Sequence, residues 1–506
     1  MVASEQTCDV VVVGAGGAGL AAAIEARRAG ADVVLLEKNR APGGSTAWSI
    51  GSVTASGSSH QARAGVADDP ASHWRDMAAF NGDLDPRDNP ALRRVLADAM
   101  PETMDWLEAQ GLRFFGPMPE PPHTRPRMHT VLPNARAYIV HLGRAARRLG
   151  VRVATQTRAV ALVQEGGGPG GGAGGRVVAV DCHTPHGSVR HRARRAVVLA
   201  TGDFTNDPEL KGRFMGPREA RVPGVNETAT GDGQKLALAL GGRILNGDLA
   251  LGPELRFIPP RHKTLTARLP PWRLLADLMV WSMAHLPAAL LRPFVMSFVT
   301  TTLAPTPALF DSGAILVNRR GQRFAEETGA PAFALPDQPE QAAWIVLDAR
   351  VAGLYAAWPH FVSTAPGVAY AYVDDYRRNR PDIFTAAPTL AVLGERLAMP
   401  AGALERTVAD YNAARPATSP RPPVGEGPYV ALGPVKAVFI HNEGGLAVDA
   451  EHRVLGADDR PIPGLYAAGA TGQGGLLLKG HGHHLAWAFA SGRRAGRLAA
   501  AAPTAG

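Results

Sequence analysis

The stretch "DVVVVGAGGAGLAAAIEARRAGADVVLLEK", residues 9–38, limits what this chain can fold into more than any other. Asp9 to Val13 is an apolar run of strand type, Gly14-x-Gly16-x-x-Gly19 a turn, Leu20 to Ala29 an alanine-rich helix, and Asp32 to Leu36 a second strand. Strand, glycine turn, helix and strand in that order predict a parallel β-α-β unit that binds a dinucleotide. Gly14 permits the tight turn and Gly16 lets the backbone approach a pyrophosphate. Gly19 lets the helix pack close to the strand, with the helix N-terminus facing the phosphates. Glu37 closes the second strand 23 positions after Gly14, near the spacing of about 20 at which an acid takes the ribose hydroxyls. The fingerprint alone does not separate NAD from FAD.

The next segment does. "NRAPGGSTAWSIGSV" sets Gly43, Gly44, Ser45 and Ser49 in a small-residue loop where a further Rossmann helix would come. Here the sequence resembles the flavoprotein family of soluble fumarate reductases, succinate dehydrogenase flavoproteins and 3-ketosteroid dehydrogenases, which carry a similar GG-x-S-x-x-SGG segment along FAD. The resemblance continues in the family's order through "RAVVLATGDF" (195–204), "ATGDGQKLALALGG" (229–242), "GAILVNRRGQRFAEE" (313–327), "NEGGLAVDAEHRVL" (442–455) and "IPGLYAAGATGQGG" (462–475). It implies an α/β fold: a Rossmann-type, glutathione reductase-like FAD domain with a β-meander, built from residues 1–250 and 431–506, and an inserted α+β cap over 251–430. The FAD contacts it implies are Gly14, Gly16, Gly17, Ala18, Gly19, Glu37 and Lys38, then Gly43, Gly44, Ser45, Thr46, Ser49 and Gly51. Further on come Ala200, Thr201, Gly202, Asp232, Gly469 and Ala470. The family's covalent members link FAD through a histidine in the loop after the acid. Ser45 to Trp48 offer none and His60 lies too far along, so FAD is expected to be noncovalent.

Alternation in Val151 to Val163, Val177 to Cys182 and Val189 to His191 reads as the meander, and "VVLATGDF" as a strand returning to the cofactor. The tract "EGGGPGGGAGG" (165–175) reads as a hairpin tip without side chains to bury. Hydrophobic residues make up 45% and charged residues 19%, the balance of a globular chain. The net charge of +8 comes from scattered arginine and not from a basic run interleaved with aromatics. Nucleic-acid binding is thus only weakly supported, and anionic substrates, anionic cofactors or an anionic membrane surface fit the charge equally well; no nucleic-acid partner is expected. Cys8 and Cys182 are far apart and support neither a disulfide framework nor a thiolate metal site. With no basic-then-apolar leader in "MVASEQTCD", a cytoplasmic protein is expected.

"GLLLKGHGHH" (475–484) packs three histidines between glycines. In the family's fold this segment passes the isoalloxazine. His483, His484 and Leu485 would open a helix running to Ala500, with its N-terminal dipole toward the reduced ring. Gly480 and Gly482 would let the backbone pass close to flavin and substrate. Three histidines this close together cannot by themselves supply three or four ligands with their supports, so no metal is expected.

The reaction follows from what matches and what does not. Where the fumarate reductases carry their arginine acid, this chain has Phe310 and Asp311; where the ketosteroid enzymes carry two tyrosines, it has Leu478 and, near "RFAEETGAP", Ala332 and Phe333. His441 in "IHNEGG" matches a substrate-binding histidine of the fumarate reductases, and Lys479 falls near their carboxylate-binding arginine. The catalytic set expected is His441, Lys479, His481 and the N–H of Gly482. The expected function is an oxidoreductase on a CH–CH bond beside a carbonyl, desaturating a lipophilic ketone with hydride transfer to flavin N5 and passing electrons to an acceptor the sequence does not name. Reduction of a small unsaturated acid is the alternative, and a flavin-binding partner protein without turnover a third. The apolar stretch 269–305 has a longest uncharged run of 14 residues, Leu278 to Leu291, short of the roughly 20 that span a bilayer. It reads as buried cap helices, or as a peripheral membrane contact with Arg261, Lys263, Arg268, Arg273 and Arg292 toward headgroups.

Overall fold

In the computed structural model, which describes residues 4–166, 175–260, 268–287, 290–292, 295–296, 300–301, 303–365, 369–416 and 418–504, strands from both ends of the chain share one sheet. β1 (Ser4–Val13) leads through the glycine turn into α1 (Gly17–Arg28) and β2 (Val33–Leu36). β1 and β2 pair in parallel, Val10 opposite Val33, and Val10 to Val13 are buried on both faces, as a parallel strand covered by helices must be. The helix starts at Gly17, three residues ahead of Leu20. The segment after Glu37 is not a plain loop: Gly44, at φ +57°, opens a short helix, α2 (Gly44–Trp48). β3 (Ser52–Thr54) follows. It joins a small antiparallel sheet with two strands that come after the helices α3 (Pro70–Asn81) and α4 (Pro90–Ala109), namely β4 (Arg113–Met118) and β5 (Met128–Leu132).

β6 (Arg152–Ala154) pairs with β2, and the meander is β7 (Arg158–Glu165), β8 (Arg176–Thr184) and β9 (Gly187–Leu199). The third meander strand and the strand returning to the cofactor, read separately in the sequence, are one strand of 13 residues. The first half of β9 pairs with β8 and with Ser4 to Cys8; its second half lies against Val10 to Val13. Most of the glycine tract lies outside the described residues.

The cap holds β10 (Glu254–Phe257), α5 (Arg273–His285), α6 (Ala308–Asp311), β11 (Ile315–Asn318), β12 (Ala343–Leu347), β13 (Phe384–Ala387) and β14 (Tyr429–Val438). Its five strands form an antiparallel sheet in the order β10-β14-β12-β11, with β13 also on β14. β14 runs across the expected boundary at 430 and belongs wholly to this sheet, so the chain leaves the cap after Val438. Leu255, Phe257, Leu316, Ile345 and Tyr376 form a core of their own, separate from the one around Val11, Leu35, Val198 and Trp487.

β15 (Pro461–Ala467) then pairs in parallel with β9, and α7 (His483–Ala501) closes the flavin domain. α7 lies along α1 on a seam of small residues. A Cβ at Gly492 or Gly496 would run into the backbone carbonyls of Ala18 and Ala22. Trp487 and Phe489 are fully buried beside that seam, a burial worth about 1.5–3 kcal/mol for a large apolar side chain.

Candidate active site

The glycines of the turn answer to different neighbours. A Cβ on Gly14 would run into the carbonyl of Ala200, and one on Gly19 into the carbonyl of Gly14, so the fold itself requires both. A Cβ on Gly16 would meet nothing closer than 3.9 Å, and those on Gly43 and Gly44 nothing closer than 3.6 Å. These three backbones border space that the protein does not fill, at the N-terminus of α1, which is what a pyrophosphate needs. Glu37 is buried there: Oε2 accepts the Ala15 N–H at 2.9 Å, and Oε1 accepts the Asn39 backbone N–H and Nδ2–H at 2.8 Å. Three of its roughly four lone-pair positions hold the turn, which leaves one for a ribose hydroxyl. The residues present fit FAD.

The other expected cofactor residues gather around this turn. Thr46 Oγ1 accepts the Gly17 N–H at 3.1 Å, Ser45 Oγ accepts from Asn226 Nδ2 at 2.8 Å, and Ser49 Oγ donates to the Thr46 carbonyl at 2.8 Å. The Gly51 carbonyl accepts from Tyr138 at 2.8 Å. Lys38 pairs with Asp232 at 3.0 Å, so Asp232 reaches this end of the site through an ion pair. Lys38, Asn39, Arg158 and Thr230 border a cavity of about 320 Å³. Ala200, Thr201 and Gly202 follow β9 directly. The Gly202 carbonyl accepts from Gln234 and Thr471, which joins that strand end to the segment after β15. Gly469, next to Ala470 in that segment, is tied to α7: its N–H donates to Ser491 at 2.8 Å, and its carbonyl accepts from Trp487 at 3.2 Å.

The histidine segment divides at the mouth of α7. His481 stays half-exposed, and Glu120 Oε1 accepts both its backbone N–H at 2.8 Å and its ring Nδ1–H at 2.5 Å. That hydrogen bond to Glu120 raises the imidazole above its ordinary pKa, against burial. Thr54 donates to the His481 carbonyl at 2.5 Å, pinning the segment to β3. Gly480 and Gly482 sit at φ +89° and +90°, and an added Cβ would come within 2.7 Å of Phe80 and of Thr54 respectively. Packing inside the protein therefore already demands both glycines, without a flavin or substrate passing close. Leu485 is buried in the first turn of α7.

His484 and His441 meet on one side of this mouth, with ring centroids 3.8 Å apart and Glu443 Oε1 facing both. His441 sits in a two-residue strand paired with Ala250–Leu251. Burial, then the neighbouring His484, hold the His441 imidazole below its ordinary pKa. Burial would raise Glu443, but His484 and His441 outweigh it and keep the carboxyl well below the usual range. His483 goes elsewhere. It is fully buried with His73 of α3 and with His123, its Nδ1 hydrogen-bonded to the Lys479 carbonyl at 2.5 Å and its Nε2 3.4 Å from that of His73. Burial pushes its pKa down to about 4. The sequence places His483 and His484 together at the flavin; the start of α7 separates their side chains. Lys479 is half-buried.

Phe310 lies in α6, packed into the cap core, so the position of the missing arginine is apolar. Leu478, at the position of a missing tyrosine, is buried, and its N–H donates to Glu443 at 3.0 Å. Sequence reasoning missed Glu443 and Glu120. Glu443 carried only a weak signal, its place two residues after His441, just past the two-residue strand. Glu120, 361 positions from His481, carried none.

Turn, acid, sheet order and glycine cradle together define a dinucleotide-binding flavoprotein of glutathione reductase-like type. The chain belongs to the FAD binding domain family, which matches residues 9–266 and 272–477, and it is an FAD-dependent oxidoreductase. It is 27% identical over 491 residues to the fumarate reductase (cytochrome) of Shewanella frigidimarina, covering 92% of this chain and 72% of that one. Among solved structures, a flavocytochrome c3 fumarate reductase in an open conformation matches with a TM-score of 0.72 and 25% identity, over 98% of this chain and 78% of the other. A 3-ketosteroid-delta4-(5alpha)-dehydrogenase from Rhodococcus jostii RHA1, in complex with 4-androstene-3,17-dione, matches with a TM-score of 0.57 and 26% identity, over 99% and 98%.

Proposed function

We propose that the chain desaturates a CH–CH bond next to the carbonyl of a lipophilic ketone. FAD, when bound, takes up the hydride in such a reaction. The His481–Glu120 pair carries this reading. Glu120 holds Nδ1, so Nε2 is the ring atom left to take the proton from the neighbouring carbon. Lys479 and the Gly482 N–H, on either side of it in the chain, would serve as donors for charge developing on the carbonyl oxygen, together with His441 at its strand end. The buried Phe310 supports the assignment, because a reductase of the fumarate type needs an acid there. Likeness to the ketosteroid dehydrogenase supports a ketone.

Likeness to the Shewanella fumarate reductase, together with His441 and Lys479, favours a second reading, reduction of a small unsaturated acid. Anaerobic mixing separates the two. A ketone that bleaches the oxidised flavin supports desaturation, and an enoate that reoxidises reduced flavin supports reduction. If no ketone bleaches the flavin, the first reading fails. The flavin is expected to stay in the supernatant on acid precipitation; recovery in the pellet contradicts noncovalent binding.

The same reading sets one face of α5 against an anionic bilayer. The expectation of buried cap helices does not hold there: Trp272, Leu274, Leu278, Trp281 and Leu290 are each more than half exposed. The helix is fastened on its other side by buried Ala276, by Asp277 to Arg113 at 2.6 Å, and by His141 to the Pro271 carbonyl at 3.0 Å. A contiguous apolar face with exposed Arg268 and Arg273 at its start suits a lipid surface. Arg292 is engaged by Asp375 at 2.7 Å, while Arg261 and Lys263 lie outside the described residues. Among the described residues no helix is long and apolar enough to cross a membrane. Cosedimentation with phosphatidylserine vesicles at low salt, lost in Leu274→Asp with Trp281→Ser, tests this contact; an unbound wild type refutes it.

A further inference from the structure

The group of His441, Glu443 and His484 has a geometry that mutual hydrogen bonding does not account for. Glu443 Oε2 accepts from Gln473 Nε2 at 2.5 Å and from the Leu478 N–H at 3.0 Å, which fixes the carboxylate. Its Oε1 faces Nε2 of His441 at 3.6 Å and Nε2 of His484 at 3.5 Å. Charge-assisted hydrogen bonds run at about 2.7–2.9 Å. His484 Nε2 is buried and has no hydrogen-bond partner. Two ligand atoms each about 2.0–2.1 Å from a tetrahedral ion stand about 3.3–3.5 Å apart, close to both spacings. Two imidazoles and one carboxylate are also a donor set that catalytic zinc takes, with a further position open.

The buried group of His73, His123 and His483 fails where this one succeeds. His123 Nδ1 accepts a hydrogen bond at 2.9 Å from Arg127, which only donates. The neutral ring therefore carries its proton on Nε2, and that atom has no lone pair for an ion. No carboxylate belongs to the trio.

We propose that His441, Glu443 and His484 bind one Zn2+ ion per chain, with a position open on the partly exposed side of the two imidazoles for an oxygen of the substrate. The binding stands on the donor geometry. Its use rests on the reading above: the ion would hold charge on the carbonyl oxygen, the task left by the missing tyrosines. The flavin-loaded protein, stripped with a chelator and dialysed, is titrated with Zn2+ alone by calorimetry and with Co2+ by visible absorption. One equivalent is expected, with tetrahedral Co2+ bands. Glu443→Gln and His484→Gln, compared with the wild type at matched flavin loading, should each weaken Zn2+ binding at least a hundredfold, and His73→Gln should leave it intact. Less than a tenth of an equivalent in the wild type, unchanged binding in both variants, or loss in His73→Gln alone overturns the proposal. Zn2+ binding in a protein whose flavin no ketone bleaches would refute the reaction and leave the ion site standing.

Discussion

His483 and His484 are neighbours in the chain and opposites in the fold. His483 joins a sealed group of three imidazoles whose nearest charge is Arg127, itself held by Asp68 at 2.7 Å and by Asp76. His484 joins a half-open group that contains a carboxylate. Protonating the sealed group would bury a positive charge beside a guanidinium, whereas Glu443 balances positive charge in the open one. What sets each histidine's chemistry is the charged neighbours within reach and the access to solvent, neither of which the spacing "HGHH" encodes.

The difference breaks first on rate. His481→Ala, at the half-exposed pair with Glu120, and His441→Ala, in the open group, are expected to slow flavin reduction by ketone about a hundredfold each, since each removes one positioned base or donor; anaerobic stopped-flow absorbance measures it. Wild-type rates in both would make the open side as inert as the sealed one. His73→Ala should do the reverse. It should lower the unfolding free energy by about 2–4 kcal/mol through a core cavity and unpaired polar neighbours, with a far smaller effect on rate; urea unfolding beside the same kinetics decides this.

Acidity separates the two sides again. Unfolded histidines titrate near 6.5, while burial pushes His483 down to about 4, His123 to about 2 and His73 well below its ordinary value. In that window the unfolded chain binds more protons. Stability should therefore fall as pH drops from 6.5 toward 4, by up to about 1.4 kcal/mol per unit for each ring, and His73→Leu should flatten the slope. His481 moves the other way. Desaturation needs its neutral form, so that rate should climb as pH passes its raised pKa; a rate that falls over the same range fits proton donation in the reductive direction.

The smallest effect tests the same contrast in the glycine turn. Gly16→Ala faces open space, so it should change apoprotein stability by no more than about 1 kcal/mol and still weaken FAD binding, read by fluorescence titration. Gly19→Ala should unsettle the fold itself.

The β1-α1-β2 unit and α7 were legible because turn glycines and apolar periodicity are local signals. The unity of β9 was not, because Gly187 to Arg195 look polar enough to end a strand while pairing with β8 and Ser4 to Cys8 satisfies their backbone. The partners of His481 and His483 were hidden for a simpler reason: Glu120, His73 and His123 lie hundreds of residues away and leave no pattern near 480. α5 misled in the opposite sense, since an apolar helix reads as buried whether or not anything covers it.

The seam between α1 and α7 has a consequence in time. The phosphate-binding turn leaves the ribosome more than 450 residues ahead of the helix that fastens it. Until Gly492 and Gly496 settle against Ala18 and Ala22, α1 lacks its neighbour and Gly469 lacks the Ser491 that orients it. FAD present during synthesis can therefore do little to template the early domain. It can act only as a late latch, once α7 lies against α1.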